Sequence, residues 1–317
     1  MPLPLRTQVH TDALLTDISV AYKQSATNFI AGLAAPEVGV QKQSDLYRVY
    51  TKNDWMRDEL QLRGPGTESA RVGYNLSTSA YYCDVWSASE IIGEQMAANF
   101  DQPGDPYVSA TEHLTQLALI RRERKFATDC FATSVWGTDV TLSGTDQWSD
   151  PVGSDPKEDV HTGQFAVLTS TGFMPNTMVV GFAVHQALQR HPLVREQFKY
   201  TSAESINEAM LARFFEVDRY LVMKAAYASN FENAAHVGAM IGGKHCLLAY
   251  IAPNPGIMTP SAMYTFNWAG LVGGNSGVRI SRFERPELAG EQIEITLSFD
   301  HVLTGTDLGY FIASAVA

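Results

Sequence analysis

The chain has 317 residues, 45% hydrophobic and 18% charged, with a formal net charge of −11. That length is enough to bury about 75% of the unfolded surface in one large or two ordinary domains. The acidic balance argues against tight, sequence-independent binding to nucleic acid, which relies on clustered Lys and Arg.

A charged fraction of 18% lies below the roughly 25% of typical soluble domains. It fits either a large core or a surface covered by neighbouring subunits, because interface cores are depleted of charge. Cys83, Cys130 and Cys246 form no C-x-x-C pair. An odd, widely spaced set reads as reduced, mostly buried thiols. No apolar run approaches the roughly 20 residues of a transmembrane helix. The opening MPLPLRTQVHTDALL lacks a signal-peptide core.

Residues 1–44 are weakly patterned, and Pro2, Pro4 and Pro36 rule out a continuous helix. Such an opening reads as a poorly packed terminus. Residues 45–88 read as a long hairpin turning at Gly64-Pro65-Gly66. Its limbs near the tip carry Arg57, Asp58, Glu59, Gln61, Arg63, Glu68 and Arg71. A two-stranded hairpin this polar is marginal on its own. Residues 87–100, with Ile91, Ile92 and Met96, read as a short amphipathic helix, broken at Pro103-Gly104.

Asp105-Pro106 is a helix start, with Asp as N-cap and Pro in the first turn. The helix runs to about Phe131, roughly 39 Å at 1.5 Å per residue. Leu114, Leu117, Ile120, Ala127 and Phe131 make its expected core stripe. Its cluster Arg121, Arg122, Arg124 and Lys125 is the most basic point of the chain. It is either a solvated face or a partner for an acidic neighbour. Residues 132–162 are rich in Gly, Ser and Asp but lack EF-hand spacing. Asp155-Pro156 starts a further helix.

Beyond Gly172 short strands and helices alternate. Asn176–Gly181 is a buried strand, and Phe182–Arg190 a helix ended by Pro192. Ile206–Phe215 is a helix; Arg219–Ala226 and Leu247–Ile251 are strands. After the Gly273–Gly277 turn, Val278–Glu284 and Gln292–Phe299 make an antiparallel hairpin. Leu308–Val316 closes the chain as an apolar strand.

Chemistry is harder to find. Gly238-Ala239-Met240-Ile241-Gly242-Gly243-Lys244-His245 nearly matches the phosphate-binding P-loop. His245 replaces the hydroxyl that would hold Mg²⁺. A strand follows, where the motif needs a helix N-terminus. The loop reads more simply as a turn between strands. There is no H-E-x-x-H and no G-x-S-x-G. The expected site list therefore holds no catalytic, metal or cofactor residue.

The order of five blocks carries a resemblance. They are Pro175-Asn176-Thr177 ahead of Gly181; His191-Pro192 with Lys199-Tyr200-Thr201; and Phe215-x-Val217-Asp218-Arg219-x-Leu221-Val222. Ala249–Ser261, reading AYIAPNPGIMTPS, and Tyr264–Trp268, reading YTFNW, complete them. In order and spacing the chain resembles the major capsid proteins of tailed bacteriophages.

The resemblance implies an α+β Hong Kong 97-type fold. Its parts would be an N-terminal arm (1–44), an extended β-hairpin loop (45–88) and two further domains. The peripheral domain with the long spine helix would span 89–165 and 277–304, and the axial domain 166–276 and 305–317. It implies no enzyme and no cofactor, but self-assembly into pentamers and hexamers of a shell around double-stranded DNA. A portal protein and a separate scaffolding protein are the implied partners, and the host bacterial cytoplasm the place of assembly. The candidate inter-subunit contacts are Arg57, Arg63, Gly64, Pro65, Gly66 and Arg71 on the loop, with Arg121, Arg122, Arg124 and Lys125 of the long helix as the residues that would meet an acidic neighbour. Rival readings are an encapsulin-type nanocompartment, on the same fold, and a soluble NTPase built on 238–245.

Overall fold

The structure, a computed structural model, describes residues 23–99, 105–198, 206–230, 235–256, 258–272 and 277–317. The first elements are α1 (Ala31–Ala34), β1 (Glu37–Val40), β2 (Ser44–Tyr50), α2 (Lys52–Met56), β3 (Leu76–Tyr82) and β4 (Asp84–Gly93). Next come α3 (Glu94–Ala98), α4 (Pro106–Cys130), β5 (Thr138–Thr141), α5 (Pro156–Thr171), β6 (Thr177–Gly181) and α6 (Phe182–Arg190). They are followed by α7 (Pro192–Phe198), α8 (Glu208–Phe214), β7 (Arg219–Met223), β8 (Ala226–Ala228), β9 (Gly238–Met240) and β10 (Cys246–Ala249). The last are β11 (Met263–Trp268), α9 (Ala269–Val272), β12 (Val278–Arg285), β13 (Gly290–Leu303) and β14 (Gly309–Ala313).

Two five-stranded sheets organise the chain. In the first, the long strand β13 is central: β12 and β4 flank its first part antiparallel, and β11 pairs with its end. β1 adds in parallel to β11. The helix α4 lies on this sheet, burying Ala110, Leu114 and Ala118 against Ile293, Ile295, Leu297 and Phe299. The Asp105 carboxylate accepts from the Tyr107 amide, which fixes where α4 begins.

The second sheet has the order β5-β14-β10-β6-β7. Its central strands are buried on both faces, so they read as continuous apolar runs rather than alternating ones. One face carries Met178, Val180, Cys246, Leu248, Tyr310 and Ile312 under α5, α6 and α8. The other carries Val179, Leu247 and Phe311. It is covered by Phe126 and Cys130 of α4 and by Ile30, Ala31 and Ala34. The end of α4 thus joins the two sheets. All three cysteines are free and buried, and burial lifts the Cys83 thiol to about 12.

Several expectations need correction. Residues 1–22 lie outside the described residues, as do Pro103-Gly104, the Lys199-Tyr200-Thr201 block and 273–276. From Ile30 onward, however, the opening segment is packed into the core and supplies β1. The hairpin is short: only Ser44–Tyr50 and Leu76–Tyr82 pair, and 51–75 leaves the ladder. Residues 84–93 form a strand, not a helix; α3 covers only 94–98. Alternation decided this, since Trp86, Ala88 and Ile92 point to α4 while Val85 and Ile91 are exposed. The core stripe of α4 runs through Ala110, Leu114, Ala118, Phe126 and Cys130; Leu117 is 42% exposed. Small residues at the i, i+4 positions let the helix lie close to the strands, whereas the expected stripe favoured bulk.

Two strand pairings cross the expected domain bounds. β5, inside 89–165, pairs with β14 in the second sheet, and β11, inside 166–276, pairs with β13 in the first.

Candidate subunit interface

The segment 51–75 stands away from both sheets. At its base Asp54 ties the two limbs together. Its carboxylate accepts from Arg57 Nη2 at 2.8 Å and from the Asn75 amide at 2.7 Å. Tyr50, Trp55 and Tyr74 pack over this knot with ring centroids 6.1 Å apart. Lys52 pairs with Asp307 at 2.6 Å, fastening the base to the body.

The tip is shaped by Gly64-Pro65-Gly66. The Thr67 amide donates to the Gly64 carbonyl, and Gly66 has φ +80°. Pro followed by a left-handed Gly is the signature of a type II turn. Arg63 Nε closes the turn on the Thr67 carbonyl at 2.6 Å. Among the described residues Arg71 pairs only with Glu68, at 3.7 Å, both largely in solvent. Among the described residues, no hydrogen bond or ion pair links 58–73 to anything outside 54–75. Leu60 and Leu62 are 94% and 105% exposed. Residues two apart on extended chain share a side, so the tip presents an apolar pair beside arginines. The limbs near the tip read as polar in the sequence; the alternation Leu60-Gln61-Leu62 is the signal of the apolar pair.

The α4 cations sit differently. Arg121 stacks 3.5 Å over the Trp86 ring, and Arg124 stacks 4.3 Å over Tyr227. Arg122 pairs with Glu37 at 2.5 Å, and Lys125 with Asp129 at 3.0 Å. Each cation has a partner within its own chain, and Arg124 remains exposed. The loop and the α4 cluster are separate features.

The remaining tempting groups have local tasks. The 238–245 loop turns from β9 into β10, and its carbonyls accept from the body: His245 O from Gly181 N, Lys244 O from Ala315 N. A Cβ at Gly181 would lie 2.2 Å from the Gly243 carbonyl oxygen, so this loop is packed backbone to backbone. Asp150 accepts from the Val152 and Gly153 amides, Asp155 caps α5, and Asp159 accepts from Trp148 Nε1. Among the described residues no cluster of His, Cys, Asp and Glu is placed to hold a metal, and no helix is long and apolar enough to cross a membrane.

The tip bears on cross-linking chemistry. Arg57, Arg63 and Arg71 stay protonated and are poor nucleophiles, and 53–75 contains no lysine. Assembled protein is expected to dissolve to single chains in hot denaturant. A ladder of covalent oligomers on a reducing gel would contradict this.

No family model matches the chain. It is 29% identical over 212 residues to the major capsid protein of Burkholderia phage BcepMu, a match spanning 65% of each chain. It is 26% identical to the major capsid protein of Pseudomonas phage JBD67, over 96% of this chain and 97% of that one. Among solved structures, a phage-related protein of Bordetella bronchiseptica superposes with a TM-score of 0.72 at 21% identity, over 92% and 93% of the two chains. The capsid of cyanophage P-SCSP1u gives 0.59 at 11% identity, over 96% and 92%. The SrpI encapsulin of Synechococcus elongatus gives 0.56 at 12%, over 96% of both. In sequence the chain is similar to two curated phage major capsid proteins, and it shares its fold with solved phage capsids.

Proposed function

We propose that the chain is the repeating unit of an icosahedral shell, packed as pentamers and hexamers around double-stranded DNA in the head of a tailed phage. Its fold on this reading is of the Hong Kong 97 type. The first sheet with α4 is the peripheral domain, the second sheet the axial domain, and 51–75 the extended loop reaching a neighbour. The observation that supports it most is the correspondence to a named major capsid protein over 96% of the chain. The detached loop with Leu60 and Leu62 in solvent is what a subunit-spanning contact requires. Arg57, Arg63, Gly64, Pro65, Gly66 and Arg71 belong to that contact. The function is interface burial repeated until rotations close. A portal and a separate scaffolding protein are its partners, and assembly takes place in the host cytoplasm.

The encapsulin neighbour supports a second reading, a shell around protein cargo. Particles purified from infected cells distinguish the two: nuclease-protected DNA supports the phage head, and co-purifying enzyme cargo without DNA contradicts it.

With a net charge of −11, the unassembled subunit is expected to bind duplex DNA weakly. Titration into labelled duplex at about 0.15 M salt should show no micromolar affinity. Tight binding that falls steeply with salt would expose a basic surface and contradict the expectation.

A further inference from the structure

The charged run Arg121–Lys125 hides one residue that points inward. Glu123 is 0% exposed. Its Oε2 accepts the amide hydrogens of Ile30 at 3.0 Å and Ala31 at 2.9 Å. These belong to the root of the N-terminal segment, more than ninety residues away in sequence. Oε1 is buried with no hydrogen-bond partner. Among the described residues, no Lys, Arg or His forms an ion pair with Glu123. The obvious candidate, Arg122, is held by Glu37 of β1. A carboxylate in such a place keeps half its charge unsolvated.

The groups around it do not supply the missing charge. On α4, Lys125 is paired with Asp129. On β13, burial drives the His301 imidazole down to about 3, so it is neutral, with Nδ1 2.9 Å from Thr265 Oγ1. Asp300 accepts from the Tyr82 amide, and burial raises its carboxyl. On β7, Arg219 donates to the Leu33 carbonyl. The root itself, residues 30–36, carries no charge.

We propose that Glu123 is a proton-controlled latch between the arm root and α4: the neutral carboxyl holds the root docked, and ionisation in the closed joint loosens it. The proton comes from solvent and sits on Oε1, leaving Oε2 to accept both amides. Burial lifts this carboxyl from 4.5 to about 7, outweighing the Ala31 and Ile30 amides and the Arg122 charge, which pull it down. The closed joint therefore binds the proton more tightly than the open one. Its stability is full below pH 4.5 and declines as pH rises through 7. The latch lies within one chain and does not depend on shell assembly.

The test is amide hydrogen exchange of the 29–35 peptide in the full-length chain, corrected for the intrinsic pH dependence of exchange. Between pH 6 and pH 8 the open population is expected to rise about tenfold, from the two protonation midpoints. In Glu123→Gln, which keeps an acceptor for both amides and removes the charge, it should stay within about twofold. A wild-type population that is flat or falls with pH overturns the proposal, as does an equal rise in the Gln variant. Carbon-13 titration of the wild-type Glu carboxyls gives a reading even if the variant does not fold. One carboxyl with a midpoint near 7, in step with opening of 29–35, supports the latch; all midpoints below about 5.5 overturn it.

Discussion

Replacing Leu60–Ala70 with a short Gly-Ser linker is expected to abolish regular shells while the unassembled chain keeps its stability. The cut removes the apolar pair, the type II turn and Arg63 but spares the base. Asp54 still bridges Arg57 and Asn75, and Tyr50, Trp55 and Tyr74 still pack together. No described hydrogen bond or ion pair between the deleted residues and the body is lost. The change in unfolding free energy should stay near the roughly 0.5 kcal/mol of surface changes. Assembly, by contrast, loses the contact proposed for the loop in every subunit, and many weak contacts act together in a closed shell. Thermal melts and particle imaging give the two readouts. Regular closed shells from the deletion would refute the role assigned to the loop. A chain that no longer folds would show the loop to be part of the core.

The second large effect is expected at the end of α4. Phe126 is fully buried where α4, the arm root and the second sheet meet, edge-on to His301. Phe126→Ala should cost about 3–5 kcal/mol, since few neighbours can collapse into the space left. That is a large part of the about 5–15 kcal/mol a domain commands. Leu117→Ala, on the side of α4 that the bulk-based stripe favoured, should cost far less, because Leu117 is 42% exposed. Urea midpoints of the two variants decide between the stripes. Equal losses would mean that the contacts of α4 are misassigned.

That contrast shows where the chain was legible. Capped helix starts at Asp105-Pro106 and Asp155-Pro156 were readable because side chain and backbone solve a local problem together. The doubly buried strands Thr177–Gly181 and Cys246–Ala249 were readable as apolar runs closed by Gly or Pro. β4 was misread because its small alternating residues, Ser87, Ala88 and Ser89, carry little signal of either period. Glu123 was invisible for a different reason. Its neighbours Arg121, Arg122, Arg124 and Lys125 describe a charged run, and only a segment ninety residues away gives its carboxylate a task. Leu60 and Leu62 were overlooked because the polar residues between and around them set the tone of the loop. The partners of the four α4 cations, likewise, come from β1, β4, the β8 strand and α4 itself. Such pairings depend on the fold and not on spacing.

The claim that this chain is a shell subunit is tested most directly by negative-stain microscopy of the purified full-length protein across a range of concentrations. The account predicts closed particles of uniform diameter. Dispersed monomers that persist at high concentration, even with a scaffolding protein present, would contradict it.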